Sequence, residues 1–149
     1  MTTQLRTLAL PALLALVMGC VTEPDADLPE GAVAMQASEQ YRSWWGETEA
    51  CSRLSGSFSR IEWYVVPGVA SFPTDEGEKV GIRIQSGDRT RIVLAETYAA
   101  HPMVVRHEML HALLQRSGHP VEYFETRCRL TWQLWNEDHG AQAAQPGLS

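Results

Sequence analysis

The strongest chemical signal in the chain is the run His107, Glu108, Met109, Leu110, His111. On a helix, residues four apart share one face about one turn apart, so both imidazoles can reach a single cation. Imidazole nitrogen suits Zn²⁺, and the carboxylate following the first histidine can take a proton from water held there. Zinc brings the pKa of that water toward ~7 and polarises a carbonyl, while Glu108 accepts the proton and returns it to a leaving amine. The expected chemistry is hydrolysis, with His107 and His111 as metal ligands and Glu108 as general base. No serine lies in a G-x-S-x-G turn, so that nucleophile is not available.

Such a site needs a helix beneath it and a wall above it. Pro102 suits a first helical turn, and residues 103–114 have helical spacing, with Met109, Leu110, Leu113 and Leu114 to bury the opposite face and Gly118 as the stop. Upstream, residues 61–66 (IEWYVV) are rich in aromatic and β-branched types and end at Pro67-Gly68, which predicts a strand. Residues 80–85 alternate apolar and polar, Ser86-Gly87-Asp88 supplies turn chemistry, and residues 91–95 are again β-rich, which predicts a hairpin. Apolar positions between residues 34 and 54 predict an earlier helix bent near Gly46, with Trp44 and Trp45 in the core. Pro120 opens a last helix running to about Trp135. The expected fold is α+β: an N-terminal helix, a small mostly antiparallel sheet, the metal-site helix and a following C-terminal helix.

A catalytic zinc takes three protein ligands and keeps one open position. Downstream candidates for the third are His119, Glu122 and Glu125. At about 1.5 Å per residue, an unbroken helix to Gly118 would carry His119 roughly 12 Å beyond His111. His119 can therefore serve only if the helix ends or turns near residues 114–116. If it does not, Glu122 or Glu125, on a helix doubling back, takes the place. Donors of a type that could stabilise an oxyanion are Tyr98, His101, Tyr123 and His139.

The 149 residues are 44% hydrophobic and 20% charged with a formal charge of −6, which suits one small domain and excludes a broad basic face for nucleic acid. Residues 8–17 form an apolar run preceded by Arg6, too short to span a bilayer and the right size for the apolar region of a signal peptide. The following Val17-Met18-Gly19-Cys20 resembles a bacterial lipobox, which implies a signal peptide over residues 1–19 and lipidation of Cys20. The acidic, Pro-containing segment then reads as a tether over residues 20–33, ahead of a domain over 34–139 and an unpatterned tail over 140–149. The implied address is the bacterial cell envelope, lipid-anchored and facing the periplasm or exterior. Two cysteines remain there, Cys51 and Cys128, and an even pair in an exported domain is expected to form one disulfide.

Over residues 61–124 the order of elements around His107, Glu108 and His111 resembles the zincin metallopeptidases, in which an edge strand above the metal helix binds peptide. Residues 63–68, 106–111 and 118–120 also resemble a set of short bacterial lipoproteins with a WYVVPG-like strand, an RHExLH helix and a GHP turn. The resemblance implies a zinc peptidase acting on peptide or protein substrates. Some small zinc-peptidase families place a third histidine ahead of a Phe at the mouth of the next helix, as His119 precedes Phe124. The metzincin pattern does not fit, because Leu114 and Ser117 stand where it needs glycine and histidine. The alternative function is a non-catalytic zincin-like lipoprotein with a binding or structural role, since few residues remain after Gly118 to build a second cleft wall. Metal storage is a weaker alternative, because storage has no use for a glutamate at the general-base position.

Overall fold

A computed structural model describes residues 27–140. The expected signal peptide, Cys20 and the expected tail beyond Gly140 fall outside the described residues. The architecture is α+β, as the sequence predicts. A four-stranded sheet has the order β1 (Val33–Met35), β2 (Ile61–Val66), β6 (Arg89–Ala95), β5 (Gly81–Ser86). The β1–β2 and β5–β6 pairings are antiparallel, while β2–β6 is parallel. A separate antiparallel pair, β3 (Phe72–Thr74) and β4 (Gly77–Lys79), stands beside the start of β5. The β5–β6 hairpin follows the expected alternation, but the β3–β4 pair is too short for that alternation to reveal.

The central strand β6 shows why this sheet holds. Ile92 and Leu94 point into the main core with the helices, and Val93 and Ala95 into a second cluster with Val66 and Phe72. All four β6 residues are fully buried, as a strand covered on both faces requires. Leu28 and Ala32 pack on the second cluster, so the folded unit reaches further toward the N-terminus than residue 34.

Helix α1 (Glu39–Ser52) is shorter than the expected 34–54, because residues 34 and 35 belong to β1 and Ser38 caps the helix by accepting from Tyr41 N–H. It continues through Gly46 without interruption; nothing lies within 4 Å of where a Cβ there would sit. Helix α2 (Pro102–Leu114) carries the metal-site run and ends earlier than Gly118, because Gln115 adopts a left-handed φ of 51°. The expected last helix is broken into two pieces. A π-helical turn (Glu122–Arg127) comes first, Arg129 turns left-handed at φ 53°, and α3 (Trp132–His139) restarts behind Thr131, which caps it by accepting from Leu134 N–H. Cys51 of α1 and Cys128 form the expected disulfide, with Cα atoms 5.1 Å apart, and tie α1 to the end of the π turn.

Candidate metal centre

The left-handed turn at Gln115 brings the chain back over α2 within a few residues. His119 thereby faces His107, their Nε2 atoms 2.9 Å apart. Ligand nitrogens of His107, His111 and His119 all lie within 4.8 Å of one another, so the three could hold a metal ion. Their ring centroids are 4.8–4.9 Å apart. Beneath them the fully buried Phe124 ring sits 4.7–4.8 Å from each imidazole and forms an apolar floor. The π turn supplies that floor, a use consistent with the concentration of π turns at functional sites.

The fit to a cation rests on the other ring nitrogens. His107 Nδ1 lies 2.8 Å from the Leu130 carbonyl oxygen, and His111 Nδ1 lies 3.1 Å from that of Arg116. A carbonyl only accepts, so each Nδ1 carries the proton and donates it, which leaves each Nε2 unprotonated, that of His107 facing His119. Pinning the distal nitrogen to a backbone carbonyl is how metal-ligating histidines are oriented. Burial pushes the His107 pKa down to about 4 against the Leu130 hydrogen bond, and burial with neighbouring His107 pushes His111 to about 4. Both are neutral at pH 7, the form a cation needs.

Glu108 faces β5. Its carboxylate is buried, 6% exposed, and accepts the Arg83 backbone N–H. Burial raises its pKa to about 8, opposed by the positive charge of Lys79 and by the Arg83 hydrogen bond. β5 comes so near that a Cβ on Gly81 would stand 3.1 Å from Glu108 Cγ and Oε1 and 3.2 Å from Val104 Cγ1. A glycine is thus needed at 81 for close approach, although its φ is ordinary.

Histidines and glutamate open into one cleft of about 630 Å³, walled by β4, β5 and Trp132. Of the alternative third ligands, Glu122 turns away to Arg127 at 2.5 Å, and Glu125 is exposed; neither joins the cluster. The four expected oxyanion donors do not line the cleft. Tyr98 and His101 pack with Trp132 outside it, Tyr123 lies under the Arg127 guanidinium, and His139 stacks on Trp135 at 3.7 Å. The cations that do line it, Lys79, Arg83 and Arg116, were not singled out in the sequence, where they read as ordinary polar positions.

Compared with known proteins, the chain matches no family model, no curated protein and no solved structure.

Proposed function

We propose that the protein is a zinc-dependent metallopeptidase. The observation that carries this reading is the convergence of three imidazoles, two of them pinned through Nδ1, beside a buried carboxylate one residue from the first. His107, His111 and His119 would hold zinc with one position left open, the pattern of catalytic rather than structural sites. Bound zinc would supply Lewis acidity, polarising the substrate carbonyl and lowering the pKa of water. Glu108 would accept the proton of that water and later deliver it to the leaving amine. Without metal, burial holds the Glu108 carboxyl pKa at about 8; the positive charge of a bound cation would favour its ionised form, the form that can accept the proton. β5 is an edge of the sheet and borders the cleft, so an extended peptide can align beside it.

The reading extends to a lipid anchor at Cys20 that keeps the domain at the cell envelope. Among the described residues no helix is long and apolar enough to cross a membrane. Replacement of Cys20 by serine should move the protein to the soluble fraction; undiminished membrane retention would reject the anchor.

The deciding experiment measures zinc content and hydrolysis of an unfolded protein substrate by wild type and Glu108→Gln. One zinc per chain in both, with turnover only in wild type, supports the peptidase. Zinc without wild-type turnover on any peptide pool favours the non-catalytic binding lipoprotein, and loss of neither zinc nor turnover in Glu108→Gln rejects the assigned base.

A further inference from the structure

Arg83 stands in the middle of β5 and lines the cleft. Its neighbours Ile82 and Ile84 pack on the far side of the sheet, so alternation turns Arg83 toward α2. The cleft it lines is the one that His107, Glu108 and His111 also line. Nη2 of Arg83 donates to Gln85 Oε1, and Gln85 is itself held by Thr90 and by the Gly87 carbonyl. This chain of contacts orients the group without neutralising it. Among the described residues no carboxylate pairs with Arg83, and its Nε is buried without a hydrogen-bond partner. Burial correspondingly lowers its pKa.

The nearby carboxylates are otherwise engaged. Glu76 pairs with Lys79 at 3.3 Å, Glu78 accepts from the Ser71 hydroxyl at 2.7 Å, and Glu108 accepts from the Arg83 backbone. A chain of net charge −6 thus keeps in this cleft an oriented, partly desolvated cation that none of the described carboxylates pairs with. A guanidinium so placed recognises a planar anion through paired hydrogen bonds, which an ammonium group cannot reproduce.

We propose that Arg83 binds a carboxylate of the substrate next to the scissile bond, supplied by an acidic side chain or by the chain terminus, so that the site selects acidic peptides. This rests on the zinc-peptidase reading of the same cleft. Arg83 is then a specificity residue acting on the bound peptide, and its effect belongs in KM.

The test first maps wild-type cleavage sites in a peptide pool, then builds two matched pairs on one cleaved sequence: Glu against Gln beside the cut, and a free against an amidated C-terminus. Wild type, Arg83→Gln and Arg83→Lys are compared, with zinc content measured on each. Expected is a preference of about tenfold in kcat/KM for the acidic member of one pair, expressed in KM. The pair that shows it identifies the carboxylate. The ratio should collapse toward one in Arg83→Gln and be only partly kept in Arg83→Lys, with one zinc per chain throughout. No wild-type preference, a loss of kcat shared by all four peptides, or loss of zinc in Arg83→Gln would each overturn the proposal. If wild type cleaves nothing, the peptidase reading fails. The same pairs, built on an arbitrary extended sequence and fluorescently labelled, then decide Arg83 by anisotropy with zinc-loaded and metal-free protein: tighter binding of an acidic member, lost in Arg83→Gln, supports it, and equal binding overturns it.

Discussion

His107 Nδ1 donates to the carbonyl oxygen of Leu130, 2.8 Å away and 23 residues downstream. A proposed metal ligand on α2 is thus aimed by the connector between the π turn and α3, and that connector begins at the disulfide-bonded Cys128. Leu130 is fully buried, and its N–H donates to the Phe124 carbonyl at 2.8 Å, so the group that orients His107 also continues the floor of the site.

Removing the disulfide should therefore loosen the metal site as well as the fold. Its 77-residue separation gives about 4 kcal/mol of chain-entropy stabilisation, a melting-temperature loss of at least about 10 °C in a domain of this size. Cys51→Ala/Cys128→Ala should show that loss, and a weaker zinc affinity measured by chelator competition at a temperature where the variant is still folded. Unchanged affinity would mean that Leu130 keeps its place without the bridge.

How much of this was legible depends on the range of the interactions. The metal-site helix, the β5–β6 hairpin and the disulfide follow from local spacing or cysteine count. His119 depended on where α2 stops, and that was decided by Gln115 and not by Gly118. No propensity demands a left-handed glutamine; the turn is held in part because the Arg116 carbonyl receives His111 Nδ1–H. The break at residues 128–131 did leave a local signal, since Thr131 before Trp132 is a good helix cap. The apolar spacing of Phe124, Cys128, Leu130 and Trp135 obscured it. The parallel β2–β6 pairing and the placing of Arg83 in the same cleft as His111 are long-range, and Arg83 in VGIRIQ looks like any outward polar residue of a half-buried strand.

In metal-free protein, stability should peak near pH 6.5. His107 and His111 have folded pKa values near 4, below the ordinary 6.5, so their contribution is complete above 6.5 and is lost as pH falls toward 4. Glu108 runs the other way: with a folded pKa near 8 against an ordinary 4.5, its contribution is complete below 4.5 and is lost as pH rises through 8. Chemical denaturation from pH 4 to 9 checks this, and a monotonic rise to pH 9 would contradict the burial of Glu108.

Glu108→Gln should lower kcat by about 10²- to 10⁴-fold while leaving one zinc per chain, because an amide cannot accept the proton. The same variant should be more stable than wild type at pH 8.5 in the metal-free state, since the buried group no longer ionises. Calorimetry at pH 5 and 8.5 separates this from a packing effect, which would appear equally at both.

Gly81→Ala should injure catalysis more than metal binding. The added methyl would meet Glu108 and Val104 at 3.1 and 3.2 Å, tighter than ordinary contact, so either β5 lifts from α2 or the carboxylate turns. The expected result is a stability loss on the order of 1–2 kcal/mol and at least about tenfold lower kcat, with zinc content unchanged. Wild-type kcat would show that the approach of β5 to Glu108 has no catalytic role.

The third-ligand assignment can be separated from the general integrity of the site by comparing His119→Ala, Glu122→Ala and Glu125→Ala. His119 sits outside α2 and its side chain meets His107 Nε2, so its removal leaves the Nδ1 anchors of His107 and His111 in place. The alanine variant should keep a near-native melting temperature without metal, yet lose zinc affinity by at least about 10²-fold, because two imidazoles from one helix hold zinc less well than three. Glu122→Ala breaks only a surface pair with Arg127, worth at most about 1 kcal/mol, and Glu125 is exposed, so both should keep full zinc stoichiometry. If Glu122→Ala or Glu125→Ala loses the metal while His119→Ala retains it, the connector must rearrange on binding, and a glutamate then takes the place assigned to His119.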